Sequence, residues 1–175
     1  MTETNERELH KVALVLGATG GIGGALAARL KTEGYEIRAL HRRAGAMRAR
    51  LPHYQWVQGD AMERADVVAA ATGAALIVHA VNPPGYRNWA QLVLPMINNT
   101  IAAAKASGAR ILMPGTVYNY GPDAFPLVDE DSPQNPVTRK GKIRVELEAR
   151  LEKAAGQGVP VLIVRAGDFF GPGSG

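Results

Sequence analysis

The sequence contains no cysteine, which excludes disulfides, thiolate metal sites and a cysteine nucleophile. Nor does any apolar run approach the roughly 20 residues that a membrane-spanning helix needs. The start, Met1 to Lys11, is polar and lacks the apolar stretch of a secretory signal, so the expected compartment is the cytoplasm and no membrane partner is expected. Charge of one sign is scarce as well: 20 Lys and Arg stand against 16 Asp and Glu, a net +4, and the basic residues gather only between Arg38 and Arg50. That cluster has no aromatic stacking platform beside it, so nucleic acid is not expected as a partner. His10, His41, His53 and His79 show no paired ligand spacing, and no metal site is expected.

What is present describes one globular domain. With 46% hydrophobic residues over 175 positions, the chain can bury a core without staples. Its 20 glycines and 11 prolines fall at intervals that suit strands alternating with helices. Val12 to Leu16 is wholly apolar, as a parallel strand covered on both faces requires, and Ile22, Leu26 and Leu30 follow at helical spacing over Gly20 to Glu33. The alternation continues with strands near 36–40, 55–58, 75–81, 110–113 and 159–164. Helices are expected near 46–50 and 63–71, in a long stretch ending at Ser107-Gly108, and near 138–155. These elements predict an α/β fold: a Rossmann-like, doubly wound parallel sheet in three αβα layers, over residues 12–175 after a polar lead of residues 1–11. Its ligand crevice should lie at the carboxyl ends of the strands, where strand order reverses.

Immediately after the first strand comes Gly17-Ala18-Thr19-Gly20-Gly21-Ile22-Gly23. Glycines here permit a tight turn and close approach of a diphosphate, whose charge is met by the N–H groups of the following helix. Without a ligand, the same glycines would serve a close-packed strand-to-helix turn. At the end of the second strand, where a carboxylate would grip both ribose hydroxyls of NAD, the chain has His41-Arg42-Arg43. An arginine there can pair with the 2′-phosphate of NADP, so NADP(H) is expected in preference to NAD(H); a solvated basic turn is the alternative. Asp60, in Gln58-Gly59-Asp60-Ala61, can accept from an adenine amino group or cap the next helix.

These motifs resemble the extended branch of the short-chain dehydrogenase/reductase superfamily, the NAD-dependent epimerase/dehydratase family. Gly17 to Gly23 resembles its glycine loop, Asp60-Ala61 its adenine-contacting pair, and Val78-His79-Ala80 the segment that lines the cofactor. Gly115-Thr116-Val117-Tyr118-Asn119-Tyr120-Gly121 resembles its fifth-strand motif, with Thr116 at the catalytic Ser/Thr position. Asp129 to Ser132-Pro133 with Asn135-Pro136 resembles the loop before the active-site helix, and Arg165 to Gly173 the segment after the sixth strand. The resemblance implies reversible hydride transfer on a small carbonyl, alcohol or nucleotide-sugar substrate. It also implies a homodimer through the long fourth and fifth helices.

The chain departs from the family where the chemistry lies. Lys140-Gly141-Lys142-Ile143-Arg144 stands in place of Tyr-x-x-x-Lys, followed by Glu148. The unperturbed values are near, about 10 for Tyr and about 10.4 for Lys, but a neighbouring cation stabilises a phenolate and expels a proton from an ammonium. Lys140 beside Arg144, on one helical face, is therefore one candidate for proton movement, with Arg144 donating to ribose hydroxyls. Tyr118 and Tyr120 offer a phenol from the loop that carries Thr116, or else pack against the helix. Asn98 and Asn99 read as structural. The missing tyrosine also motivates a second reading, a catalytically silent NADP(H) sensor or scaffold. Because extended members continue into a substrate-recognising domain, that domain is expected beyond residue 175.

Overall fold

The computed structural model describes residues 11–83 and 88–167. The polar lead up to His10, part of the Pro83-Pro84-Gly85 turn and the motif from Asp168 onward lie outside the described residues.

Six parallel strands form one sheet in the order β3-β2-β1-β4-β5-β6. They are β1 Val12–Leu16, β2 Glu36–His41, β3 Gln55–Gln58, β4 Ala74–His79, β5 Arg110–Thr116 and β6 Val161–Ala166. Between them run α1 Gly21–Thr32, α2 Ala44–Arg50, α3 Arg64–Ala70, α4 Trp89–Ser107 and α5 Arg139–Ala155. Parallel neighbours cannot be joined by hairpins, so each helix is a crossover that must cover a sheet face.

Alternation along the strands divides the core. Leu14, Leu16, Ile77, Ile111 and Met113 face α3, α4 and α5, where Val67, Val93, Ile97, Leu147 and Leu151 meet them. Ala13, Val15, Ile37, Ala39, Leu76 and Val78 face the other way, against Ala27 of α1 and Ala44 of α2. In register, Val15 lies beside Ala39 on one side and Val78 on the other, so small and branched side chains alternate where α1 packs.

The expected strands and helices are all found, with shifted ends. β5 runs on to Thr116 rather than ending at Met113, because its pairing with β6 extends to Thr116 opposite Ala166. β4 stops at His79 rather than Val81, and the chain beyond it turns into the crevice wall. The basic cluster is split by the fold. Arg38 donates to the Ala70 and Thr72 carbonyls at the end of α3, both at 2.7 Å, and Arg48 to the Trp56 carbonyl at 3.0 Å.

Candidate functional site

Strand order reverses between β1 and β4, and the glycine loop sits at that point. Gly17 has φ +94, and a β-carbon on it would stand 2.6 Å from the Ala80 carbonyl oxygen. On Gly23 a β-carbon would stand 2.2 Å from the Gly17 oxygen and 3.2 Å from Ala80 Cβ. Gly17 and Gly23 are thus required by the protein's own packing. Gly20 is different: its φ is −86, and a β-carbon there would meet only the Gly17 oxygen, at 3.5 Å. Packing gives no reason for glycine at this exposed position, whereas a ligand pressed against the backbone does. The first turn of α1 holds no acidic residue, and the N–H groups of Gly21, Ile22 and Gly23 precede any in-helix partner. Thr19, Gly20, Gly21 and Ile22 are all exposed. The residues present therefore fit a dinucleotide diphosphate.

At the end of β2, the Arg43 N–H donates to His41 Nδ1 at 3.0 Å, and the His41 ring meets Trp56 edge-on at 5.9 Å. Burial, then the Arg43 and Arg42 charges, hold the His41 pKa below its ordinary value. Gln58 braces the turn, donating to the Arg42 carbonyl and accepting from the Ala44 N–H at 3.1 Å. The Arg42 side chain is exposed. Asp60 Oδ1 accepts from the Met62 N–H at 3.0 Å, so the carboxylate shapes the loop ahead of α3 instead of capping the helix, whose N-cap is Glu63. Asn99 reaches across from α4 and donates to the Ala61 and Met62 carbonyls at 3.0 and 2.9 Å, fixing the same loop. Its structural reading is thereby given a specific partner.

Beyond the glycine loop, a cavity of about 200 Å³ opens at the ends of β4, β5 and β6. Ile22, Ala80, Thr116, Tyr118 and Arg144 line it, with His79, Asn82 and Trp89 among the others. The Arg144 guanidinium lies over the Trp89 ring at 4.8 Å, and Trp89 Nε1 donates to Asn82 Oδ1 at 2.8 Å. Thr116 Oγ is 3.5 Å from Asn119 Oδ1, and buried Asn119 donates to Gln134 at 2.9 Å. His79 is buried, its Nδ1 2.8 Å from Thr100 Oγ; burial and then the Arg144 charge lower its pKa to about 3.

The other candidates lie elsewhere. Lys140 is exposed on the first turn of α5 and is not in the cavity wall. Tyr120 is buried outside the cavity, with its hydroxyl donating to the Asp129 carbonyl at 3.3 Å and the Arg165 guanidinium over its ring at 5.1 Å. Arg165 also binds both carboxylate oxygens of Glu148, one at 2.9 Å, and the Thr116 carbonyl at 3.3 Å. This strut joins β6, α5 and the loop of Thr116. A β-carbon at Gly141 would stand 2.2 Å from the Tyr118 carbonyl oxygen, so α5 abuts that loop directly. Trp89 and Asn82 had no sequence signal, since neither belongs to a periodic or glycine-marked motif.

A family model for the NAD-dependent epimerase/dehydratase family matches residues 13–175. The chain belongs to that family. It is 30% identical over 178 residues to a 3-diazoavenalumate denitrifying reductase from a Streptomyces species, covering 93% of this chain and 57% of that protein. It is 32% identical over 171 residues to the dTDP-6-deoxy-L-talose 4-dehydrogenase (NAD(P)(+)) of Kitasatospora kifunensis, covering 91% and 52%. The chain thus spans about half the length of the curated relatives it matches. Among solved structures, the UDP-glucose 4-epimerase of Thermotoga maritima has a TM-score of 0.80 at 14% identity, covering 94% of this chain and 58% of that one. The UDP-glucuronic acid 4-epimerase of Bacillus cereus in complex with NAD has a TM-score of 0.77 at 18% identity, covering 93% and 58%. These share the Rossmann-like fold of this epimerase/dehydratase-family chain.

No helix among the described residues is long and apolar enough to cross a membrane, and none of their His, Asp and Glu side chains form a group of three placed to hold a metal.

Proposed function

We propose that this chain is the dinucleotide-binding part of an NADP(H)-dependent oxidoreductase or epimerase acting on a small carbonyl, an alcohol or a nucleotide sugar. The observation that carries this reading is that Ile22 of the glycine loop and Ala80 beside it line the same cavity as Thr116, Tyr118 and Arg144. A ligand laid on the open backbone of Gly20 enters a chamber holding a hydroxyl, a phenol and a guanidinium. The relatives named as a reductase and a dehydrogenase support hydride chemistry.

In this reading the N–H groups of Gly21 to Gly23 receive the diphosphate against the bare backbone of Gly20, with Thr19 at the rim of the loop, and Asp60 with Ala61 meets the adenine. Arg42 pairs with the 2′-phosphate beside His41, a charge-assisted contact that an Asp or Glu would repel. The nicotinamide group, when bound, supplies or accepts the hydride. Arg144 donates to its ribose hydroxyls, and Thr116 Oγ donates to the reacting oxygen. Tyr118 is a residue of the cavity wall and Lys140 is not, so proton movement is assigned to the Tyr118 phenol in preference to Lys140 Nζ. Helices α4 and α5, adjacent on one sheet face, are the surface for a homodimer.

Calorimetric titration of the chain with NADPH, NADP⁺ and NADH, repeated on Arg42→Asp, tests this assignment. NADPH should bind more tightly than NADH, and the substitution should weaken NADPH by roughly tenfold or more while sparing NADH. Equal affinities that the substitution leaves alone would remove the NADP(H) preference. Absence of binding by folded protein would remove the dinucleotide reading.

The lysine at position 140, standing outside the cavity, favours one further reading, a catalytically silent NADP(H) sensor or scaffold. It requires different affinities for NADPH and NADP⁺ without turnover, and a partner whose binding follows the redox form.

A further inference from the structure

One polar side chain of the cavity wall has no part in the reaction as assigned. His79 ends β4, is 5% exposed, and has Nδ1 2.8 Å from Thr100 Oγ. The Thr100 hydroxyl donates to the Met96 carbonyl one turn back in α4, at 3.2 Å. A hydroxyl has a single proton, and its direction toward the Met96 carbonyl leaves the oxygen to accept from the imidazole, the arrangement in which Nδ1 carries the hydrogen. The neutral ring then has its lone pair on Nε2. Protonation does not disturb this arrangement, because burial and the Arg144 charge hold the pKa near 3. Nε2 makes no hydrogen bond among the described residues, while His79 lines the cavity. Nε2 is not sealed off from the cavity, so it is an acceptor that a ligand entering there can reach.

We propose that His79 is a positioning residue of the crevice, held by Thr100 in the tautomer whose Nε2 accepts an O–H or N–H of the bound ligand. Arg144 can only donate, and Asn82 Oδ1 already accepts from Trp89 Nε1. Nε2 is therefore a fixed acceptor close to the Arg144 donor, and it selects for a ligand bearing a hydroxyl or a primary amide next to the group that Arg144 holds. Such a donor is found on a dinucleotide, as a ribose hydroxyl or carboxamide, and on a sugar substrate. The inference rests on the dinucleotide reading of the crevice.

Nitrogen NMR of the imidazole in the 175-residue chain tests it, with NADPH and then UDP-glucose in the presence of NADP⁺ as probes. The expected ligand-free spectrum shows Nδ1 protonated and Nε2 bare near neutral pH, with the Nε2 resonance moving when a probe binds. Movement with NADPH assigns the donor to the dinucleotide; movement only with UDP-glucose assigns it to the substrate sugar. Thr100→Val should free the tautomer and weaken the responding probe roughly tenfold, and Thr100→Ser should retain its affinity. A protonated Nε2, an affinity untouched by Thr100→Val, or an Nε2 that neither NADPH nor UDP-glucose moves while the amides of Gly20 and Ile22 report bound dinucleotide overturns the inference and leaves the dinucleotide reading standing. Glycine-loop amides unmoved by every probe overturn the dinucleotide reading, and this inference with it.

Discussion

Gly23 packs so closely on Gly17 that a β-carbon at position 23 would lie 2.2 Å from the Gly17 carbonyl oxygen. The contact locks the first turn of α1 onto the loop and the loop onto β4. It separates what the fold needs from what a ligand needs.

Gly23→Ala should therefore destabilise the chain by about 1–3 kcal/mol, the range for overpacking against backbone that cannot yield. Gly20→Ala, with its β-carbon at ordinary van der Waals distance, 3.5 Å from the nearest atom, should change stability by no more than about 0.5 kcal/mol. NADPH affinity should nevertheless fall in Gly20→Ala. Urea unfolding of both variants, followed by calorimetric titration of the second, checks the pair.

Glu148 is 1% exposed and bound at both oxygens by Arg165. Removing the carboxylate in Glu148→Ala leaves a cation on β6 without its partner, which should cost about 3 kcal/mol or more. The double variant Glu148→Leu with Arg165→Met should recover much of that loss, because it removes both charges. Thermal denaturation of the three proteins gives the comparison.

Asn99→Leu should leave the Ala61 and Met62 carbonyls without their donor. A cost of about 1 kcal/mol is expected from part-buried carbonyls that lose their donor. The loop of Asp60 should loosen with it, visible as faster amide exchange at Ala61 and Met62.

His79 makes stability depend on pH in a stated direction. Its folded pKa, about 3, lies below the ordinary 6.5, so the unfolded chain takes up a proton that the native one refuses. The contribution is complete above about pH 6.5 and is lost as pH falls toward 3, by up to about 1.4 kcal/mol per pH unit. His79→Gln should flatten that part of the stability profile in denaturant titrations between about pH 6 and 4.

Catalysis separates the two proton candidates. If the phenol of the cavity wall moves the proton, Tyr118→Phe should lower turnover by roughly 100-fold or more, while Lys140→Met changes it little. The reverse pattern would return the role to α5. The readout is NADPH oxidation against a panel of carbonyl and nucleotide-sugar substrates.

The alternation of strand and helix, the parallel sheet and the glycine loop at its reversal point were legible in the sequence, because each depends on local spacing. Apolar runs such as Val12 to Leu16 require cover on two faces, and Gly17 and Gly23 mark a turn that side chains would block. The basic cluster was only half legible. Arg38 and Arg48 look like Arg42 in the sequence, yet the fold turns them onto the carbonyls of Ala70, Thr72 and Trp56. Asp60 likewise carries no mark that distinguishes adenine recognition from the loop bond it makes to Met62.

By itself, then, the sequence determined which segments become strands and helices and where the loop after β1 packs too closely for a side chain, since those follow from periodicity and from the missing β-carbons. Only the tertiary structure decided that Tyr118 lines the cavity while Tyr120 turns to Asp129, that Arg144 lies on Trp89 while Lys140 stays outside, and that His79 is held by Thr100. Each of these destinations is set by a contact with a residue on another element or a later loop, brought near by the crossovers of the sheet, and no local pattern encodes it.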